Sequence, residues 1–352
     1  MSRHVLGILF AAGITCVTIF LLAEWQREPL PLPKSVDKHI VSTVDAELQR
    51  LAEKKILAKI KDMKKRGQLS KDAEVAFICL DNETGDVLAY LGGNSVNAEK
   101  NMDFLLAKNR DTGSVIKPIF YVIALDTGAI SATDVFMDEP MKFLSLDGRN
   151  ETYSFDNYRN SYQNKALTIE ESIADSSNVC MLQAYHRTDR QKLAGKMDAL
   201  GMPLEDGKYN VNLLPVSWSP NLIEIASAYT TLANGGVRSS PRLTIDQPLR
   251  KTQVFSAESC SVALRGMRQV LTAGTGAKAA KDLASVARAK TGSSYDSLAL
   301  LQTRKITMVI RVGTRNSVKD LKKTGGALAL PLLADYTREL RRVRAELVPV
   351  WE

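Results

Sequence analysis

Three short patterns stand in order along the chain: Ser114-Val115-Ile116-Lys117, Ser176-Ser177-Asn178 and Lys290-Thr291-Gly292. A serine hydroxyl attacks a carbonyl well only when a neighbouring base takes its proton, and lysine is such a base only as a neutral amine. Residues 115–125 are apolar almost throughout except for Lys117, so a helix there belongs in the interior, where desolvation penalises the ammonium form. A spacing of three puts Ser114 and Lys117 on one helix face. The chemistry implied is acyl transfer through a serine ester. The alternative for Lys117 is a side chain that snorkels to the surface.

Each pattern is cheap alone, and the chain carries copies. Residues 35–38 repeat the first spacing, residues 95–97 and Ser219-Pro220-Asn221 the second, and Lys323-Thr324-Gly325 the third. Context separates them. Ser35 falls in a proline-rich stretch, whereas Ser114 follows Gly113 at the start of the apolar run. With only His4, His39 and His186 present, a multi-histidine metal site is excluded, and a Ser-His-Asp triad could draw only on His186.

The elements that position these groups can be read from periodicity. Residues 45–66 carry an apolar stripe of Leu48, Leu51, Ile56, Ile60 and Met63 and end at Gly67, which reads as a capped amphipathic helix. Residues 75–80 and 86–91 read as a hairpin around Asn82-Glu83-Thr84-Gly85. The run 115–125 reads as a buried helix closed by Gly128, with Pro118 in its first turn. Thr168 and Glu171 have capping-box spacing for a helix leading into Ser176. Segments 285–289, 297–301 and 306–312 read as strands, and 327–344 as a closing helix. Strands at both ends around a helical middle predict one α/β sandwich whose sheet is completed by distant segments.

Residues 5–23 are free of charge and would rise ~28 Å as a helix, close to the ~30 Å of a bilayer core. The stretch is long for a cleaved signal, and Leu21-Leu22-Ala23 is a poor cleavage site, so an uncleaved single-pass anchor is expected. Arg3 before it and Glu24 and Glu28 after it place residues 1–4 in the cytoplasm and the rest outside. Residues 24–40, with Pro29, Pro31 and Pro33, are a stiff spacer, 41–72 a helical linker and 73–346 the main domain. The net charge of +8 is spread among acids without stacking aromatics, which argues against nucleic acid. Cys16, Cys79, Cys180 and Cys260 contain no CxxC pair, and the last three read as single, buried thiols.

The ordered patterns resemble those of the serine penicillin-recognising enzymes. So do Thr84-Gly85-Asp86-Val87-Leu88-Ala89-Tyr90, Asn157-Tyr158, Ala233-Asn234-Gly235-Gly236 and Gly274-Thr275-Gly276, which look like the transpeptidase domain of class A penicillin-binding proteins. Val44-Asp45 with Leu48-Gln49 looks like the linker before such a domain, and the likeness spans residues 41–340. It implies an α/β fold, an antiparallel sheet sandwiched by helices with a helical subdomain, preceded here by one transmembrane helix. It further implies a peptidoglycan stem peptide ending in D-alanyl-D-alanine as substrate, β-lactams as covalent inhibitors, and neither cofactor nor metal. In these terms Ser114 is the nucleophile, Lys117 its base and Ser176 the relay to the leaving amine. Asn178 would bind the donor peptide, Lys290 and Thr291 its carboxylate, and Gly292 would let the substrate strand lie close. The backbone N–H groups of Ser114 and Ser293 would form the oxyanion hole.

The sequence departs from that pattern near the groove: Asp111-Thr112 replaces an arginine-proline pair, Ser293 stands for threonine, and Ser297-Leu298 follow Asp296 where tryptophan and glycine are usual. The glycosyltransferase domain of bifunctional members is expected to be missing, so a separate glycosyltransferase is an expected partner. A DD-carboxypeptidase would use the same groups with water as acceptor. A β-lactamase fits less well, without a glutamate placed to activate a deacylating water. A β-lactam sensor or scaffold without catalysis is the reading of a different class.

Overall fold

The computed structural model describes residues 41–93, 102–108, 110–204, 212, 218–314 and 321–351. The expected anchor and spacer, and the pattern copies at 35–38 and 95–97, lie outside them. Among the described residues no helix is long and apolar enough to cross a membrane. Those residues belong to one compact unit, Val41–Glu352.

The amphipathic stripe forms one long helix, α1, made of Ala46–Ala52, a wider π turn Glu53–Leu57 and Ala58–Lys65. Asp45 caps its start, and Leu48, Ala52, Ile56 and Ile60 are fully buried. Gly67, at φ +70, ends it. The hairpin follows as β1 (Ala73–Asp81) and β2 (Val87–Leu91). Gln49 of α1 accepts the Tyr90 N–H and donates to the Tyr90 carbonyl. A side-chain amide thus occupies the outer edge of the sheet, where an unpaired strand would invite foreign pairing.

After the short helix α2 (Met102–Leu106), the apolar run opens as a 3₁₀ turn, Gly113–Ile116, and continues as α3, Lys117–Asp126, with Pro118 in its first turn. A helical region follows, threaded with the short strands β3 (Val135–Met137), β4 (Phe143–Leu144), β5 (Thr152–Tyr153) and β6 (Ala166–Thr168). Its helices are α4 (Ile169–Asp175), capped by the Thr168–Glu171 box, α5 (Asn178–Arg187) and α6 (Arg190–Ala199). The buried α7 (Leu222–Ala233), the small strands β7 (Val237–Ser239) and β8 (Lys251–Gln253), and α8 (Ala257–Thr272) lead back to the sheet. The one-turn α9 (Ala277–Ala280) precedes β9 (Arg288–Ser293), β10 (Ser297–Gln302), β11 (Ile306–Thr314) and α10 (Ala329–Val343).

The main sheet is antiparallel in the order β2-β1-β11-β10-β9. β10 and β11 are buried along their whole length, because α1 and α10 pack on the sheet together with α7 and α8. Tyr336 of α10 stacks against Phe77 of β1 at 5.2 Å. The sandwich closed by distant segments is therefore present: β1 near the start pairs with β11 near the end.

One strand differs from expectation. The predicted segment 285–289 is mostly a turn, with the Val286 and Ala287 N–H groups bonded to the Leu283 carbonyl, and the strand begins at Arg288. The strand therefore includes the polar residues Lys290-Thr291-Gly292-Ser293, which apolar periodicity cannot reveal. β9 is an edge of the sheet, and its polarity suits an edge that faces a cleft.

Candidate active site

Ser114, the expected nucleophile, sits where the 3₁₀ turn meets the strand edge. Gly113 has φ +51, and a β-carbon there would lie 2.7 Å from the Ser293 carbonyl oxygen, so only glycine lets the backbone before Ser114 approach the end of β9. Three residues per turn in a 3₁₀ segment stack positions i and i+3, which sets Lys117 directly above Ser114. The Lys117 N–H closes that turn on the Ser114 carbonyl. From the next helix inward, the Tyr229 hydroxyl donates to the Val115 carbonyl and holds the turn from behind.

Lys117 is 1% exposed. Its Nζ donates to the Ser176 carbonyl at 2.6 Å and to Asn178 Oδ1 at 2.5 Å. Ser176 caps α4 in the left-handed region, at φ 61, a conformation that a non-glycine residue holds only when its surroundings enforce it. That kink turns its side chain toward β9, where the fully buried Lys290 Nζ donates to Ser176 Oγ at 2.6 Å. The three patterns thus meet at one point: Lys117 holds the backbone of Ser176, and Lys290 holds its hydroxyl.

No lysine-carboxylate ion pair neutralises either amine among the described residues. Burial, with the Lys290 charge added to it, holds Lys117 well below the ordinary lysine range. Burial alone brings Lys290 down to about 7.

Thr291 Oγ1 is 2.8 Å from Thr275 Oγ1, and both line the cleft. Gly292 does not: a β-carbon there would lie 2.7 Å from the Thr112 carbonyl oxygen and 2.8 Å from Val115, so its bareness lets β9 pack against the nucleophile turn. Ser293 is exposed at the strand end, and its Oγ accepts the Gly325 N–H at 3.0 Å. The Gly113 approach sets the Ser293 backbone beside Ser114, whose N–H lies in the first turn, where no intrahelical acceptor exists. These are the two donors named from the sequence for the oxyanion hole.

Asn178, expected to bind substrate, spends its amide within the protein: Oδ1 accepts from Lys117, and Nδ2 donates to the Asp156 carbonyl at 2.6 Å. Ser177 is the N-cap of α5 and bonds the Cys180 N–H. Sequence reasoning missed Asp138, which lies 2% exposed behind Ser177 and Asn157. Its only signal is an acid after an apolar strand and two residues before Pro140.

The copies of the patterns have other work. Asn221 of Ser219-Pro220-Asn221 caps α7 in a box with Glu224. Lys323-Thr324-Gly325 folds beside the true pattern, so that Thr324 and Gly326 line the cleft while Lys323 stays exposed. His186 lies among Phe143, Tyr153 and Tyr185, bonded to the Tyr153 hydroxyl, and burial lowers it to about 4. It does not line the cleft, so it forms no triad with Ser114. Cys79, Cys180 and Cys260 are free and buried.

The cleft has a volume of 870 Å³ and is lined by Ser114, Ser176, Asn178, Thr291 and Ser293 among others, with no glutamate among the described residues. A cleft of that size admits a peptide-sized ligand.

The model of the family described as "Penicillin binding protein transpeptidase domain" matches residues 75–297. Penicillin-binding protein 2D of Bacillus subtilis is 30% identical over 207 residues, covering 58% of this chain and 28% of that protein. Penicillin-binding protein 1C of Escherichia coli is 26% identical over 312 residues, covering 86% of this chain and 38% of that protein. The chain thus spans well under half the length of these curated relatives. Among solved structures, PonA1 of Mycobacterium tuberculosis in complex with penicillin V superposes with a TM-score of 0.68 at 19% identity, over 86% of each chain. The transpeptidase domain of Burkholderia pseudomallei penicillin-binding protein 3 does so at 0.68 and 18%, over 91% of this chain and 99% of that one. With the family model matching through the nucleophile turn, the α4–α5 junction and β9, the chain belongs to the penicillin-binding protein transpeptidase family.

Proposed function

We propose that the chain is a peptidoglycan DD-transpeptidase working through an acyl-enzyme on Ser114. The observation that carries this reading is the pair of buried lysines meeting at Ser176, Lys117 in the turn that follows Ser114 with its amine lowered by burial, and Lys290 on the strand edge. Ser114 Oγ attacks the penultimate D-alanine carbonyl while Lys117 takes its proton, and the oxyanion draws on the N–H groups of Ser114 and Ser293. Collapse breaks the C–N bond, and Ser176 protonates the departing amine. Ser176 can do so because its oxygen already accepts from Lys290, which leaves its own O–H free to donate, and the proton that Lys117 took from Ser114 replaces the one given up, so Lys290 stays charged. Attack by an acceptor amine on the ester runs the same transfers in reverse and frees Ser114. Thr291 and the charged form of Lys290 meet the substrate carboxylate, and the β9 edge offers a strand for the peptide to lie along.

A fluorescent penicillin should label the purified chain at Ser114 and leave Ser114→Ala unlabelled, and the adduct should be long-lived, no glutamate being among the described residues that line the cleft. Stem-peptide donors with an added amine should give cross-linked product. A mass spectrum without an adduct on Ser114 would sink the enzyme reading, and release of D-alanine with no cross-link in the presence of amine would make the protein a carboxypeptidase.

We further propose that residues 5–23 anchor the chain in the cell membrane with the catalytic unit outside, where peptidoglycan lies. The chain should then stay with membranes through a high-salt wash, which strips proteins held by charge alone. Its recovery in the wash as a shorter species starting near Glu24 would overturn this placement.

A further inference from the structure

Asp138 is a buried carboxylate that forms no ion pair with a lysine or arginine among the described residues. Such a charge is costly unless something compensates it. Four donors reach it. Asn157 Nδ2 at 2.6 Å and Ser177 Oγ at 2.7 Å bond Oδ1, the Gln163 N–H bonds Oδ2 at 2.8 Å, and Cys180 Sγ lies 3.9 Å from Oδ1. Ser177 and Asn157 carry its influence onward. The Ser177 hydroxyl, donating to Asp138, accepts the Cys180 N–H at 3.0 Å, and Asn157 Oδ1 accepts the Asn178 N–H at 2.7 Å. Both are first-turn donors of α5, so the carboxylate sits behind a helix N-terminus, where negative charge is favoured. The same Asn178 accepts from Lys117 Nζ through its side chain. From Asp138 to the amine the path is thus three hydrogen-bonded residues: Asn157, Asn178, Lys117.

We propose that Asp138 is the positioning residue of the base, orienting Asn178 through Asn157 and Ser177 and supplying the negative charge against which Lys117 takes up the Ser114 proton. A neutral amine in an apolar helix is easily kept neutral, but a base must also accept a proton. Burial and the charge of Lys290 on β9 both oppose that step. Asp138, after β3, favours it, while the Cys180 thiol on α5, raised to about 11 by burial, carries no charge near neutral pH. Asp175, at the end of α4, also lines the cleft, and burial together with Asp138 raises its carboxyl. Asp138 therefore works against the loss of basicity that burial imposes on Lys117.

The inference rests on the acylation reading, and its test separates the two. Second-order labelling of the full chain by a fluorescent penicillin is followed from pH 5 to 9 for the wild type, Asp138→Asn, Asp138→Ser and Asp138→Glu. Folding is checked by thermal melting. Removing the charge should cut labelling near neutral pH about tenfold and move the acid limb to lower pH by about one unit, the size of effect a nearby opposite charge has. Asp138→Glu, which keeps the charge, should leave the limb in place even where its rate drops. The serine variant is small enough to leave room for a water if the asparagine variant does not fold. A neutral variant that labels more slowly with an unmoved limb makes Asp138 a structural brace only and overturns the inference. A wild-type chain that takes no label overturns the acylation reading and this inference with it.

Discussion

Lys117 and Lys290 are both buried, both unpaired with acid and both within reach of Ser176, yet the chemistry asks opposite things of them. Lys117 must be neutral to act, whereas Lys290 must be charged to meet a carboxylate. An arginine never loses its proton, so it separates the roles. Lys117→Arg should lose ~10² or more in acylation rate at every pH, the scale of a general-base contribution. Lys290 is different. With its amine at about 7 in the free protein, kcat/KM for a carboxylate-bearing substrate should fall as pH rises through that value, because the charged form is lost. Lys290→Arg should keep part of the activity and abolish that alkaline limb, while Lys290→Ala should weaken capture by ~1.5 to 3 kcal/mol, the range for hydrogen bonds to charged groups. Stopped-flow acylation against pH checks all three. A limb that survives in Lys290→Arg, or activity that survives in Lys117→Arg, would reverse the assigned roles.

At the scale of elements, the site depends on how closely the nucleophile turn approaches β9, and two glycines at either end of the same helical run test this. Gly113 and Gly128 both have positive φ, but a β-carbon on Gly128 would meet nothing within 4 Å, whereas one on Gly113 would strike the Ser293 carbonyl. Gly128→Ala should therefore cost only the left-handed strain of about 1 kcal/mol, with acylation unchanged. Gly113→Ala should add the displacement of Ser114 from Ser293 and lose most of the labelling, even where melting shows a folded protein. Equal effects on labelling would mean that the approach does not matter. The contrast also shows what could be read beforehand. α1, the β1–β2 hairpin, β10, β11 and α10 were visible from their runs of apolar residues, and α4 from the capping-box spacing of Thr168 and Glu171. β9 was misplaced because its useful residues are polar and its side-chain pattern is set by the cleft rather than by a core. Ser114, Lys117, Ser176 and Lys290 were legible as ordered patterns, and the structure joins both lysines to Ser176, which lines one cleft with Ser114. Asp138 was not legible: a lone acid announces itself only through burial and partners that sequence does not display.

For the molecule as a whole, the buried amines and thiols write a pH dependence into stability. Stability rises with pH wherever the unfolded chain binds more protons than the folded one, by ~1.4 kcal/mol per unit for each proton of difference. Lys290 falls from 10.5 unfolded to about 7 folded, so above that value the unfolded chain holds a proton that the folded one has released, and stability climbs. Lys117 acts in the same direction. The thiols act oppositely. Burial raises Cys79, lifts Cys180 to about 11 and Cys260 to about 12, so above an unfolded value of 9.0 the unfolded chain has lost protons that the folded one keeps, and stability declines. Between about pH 7 and 9 the lysines contribute before the thiols begin to titrate in the unfolded chain, so stability should climb across that window, beyond the ~5 to 8 where it usually peaks. Urea midpoints followed by tryptophan fluorescence, with Trp218 buried at 2% exposure, should rise from pH 6.5 to 8.5. Lys290→Met should lose part of the rise. A midpoint that is flat or falling between 6.5 and 8.5 would mean that the folded protein keeps both amines charged, and a charged Lys117 has no capacity to take the proton of Ser114.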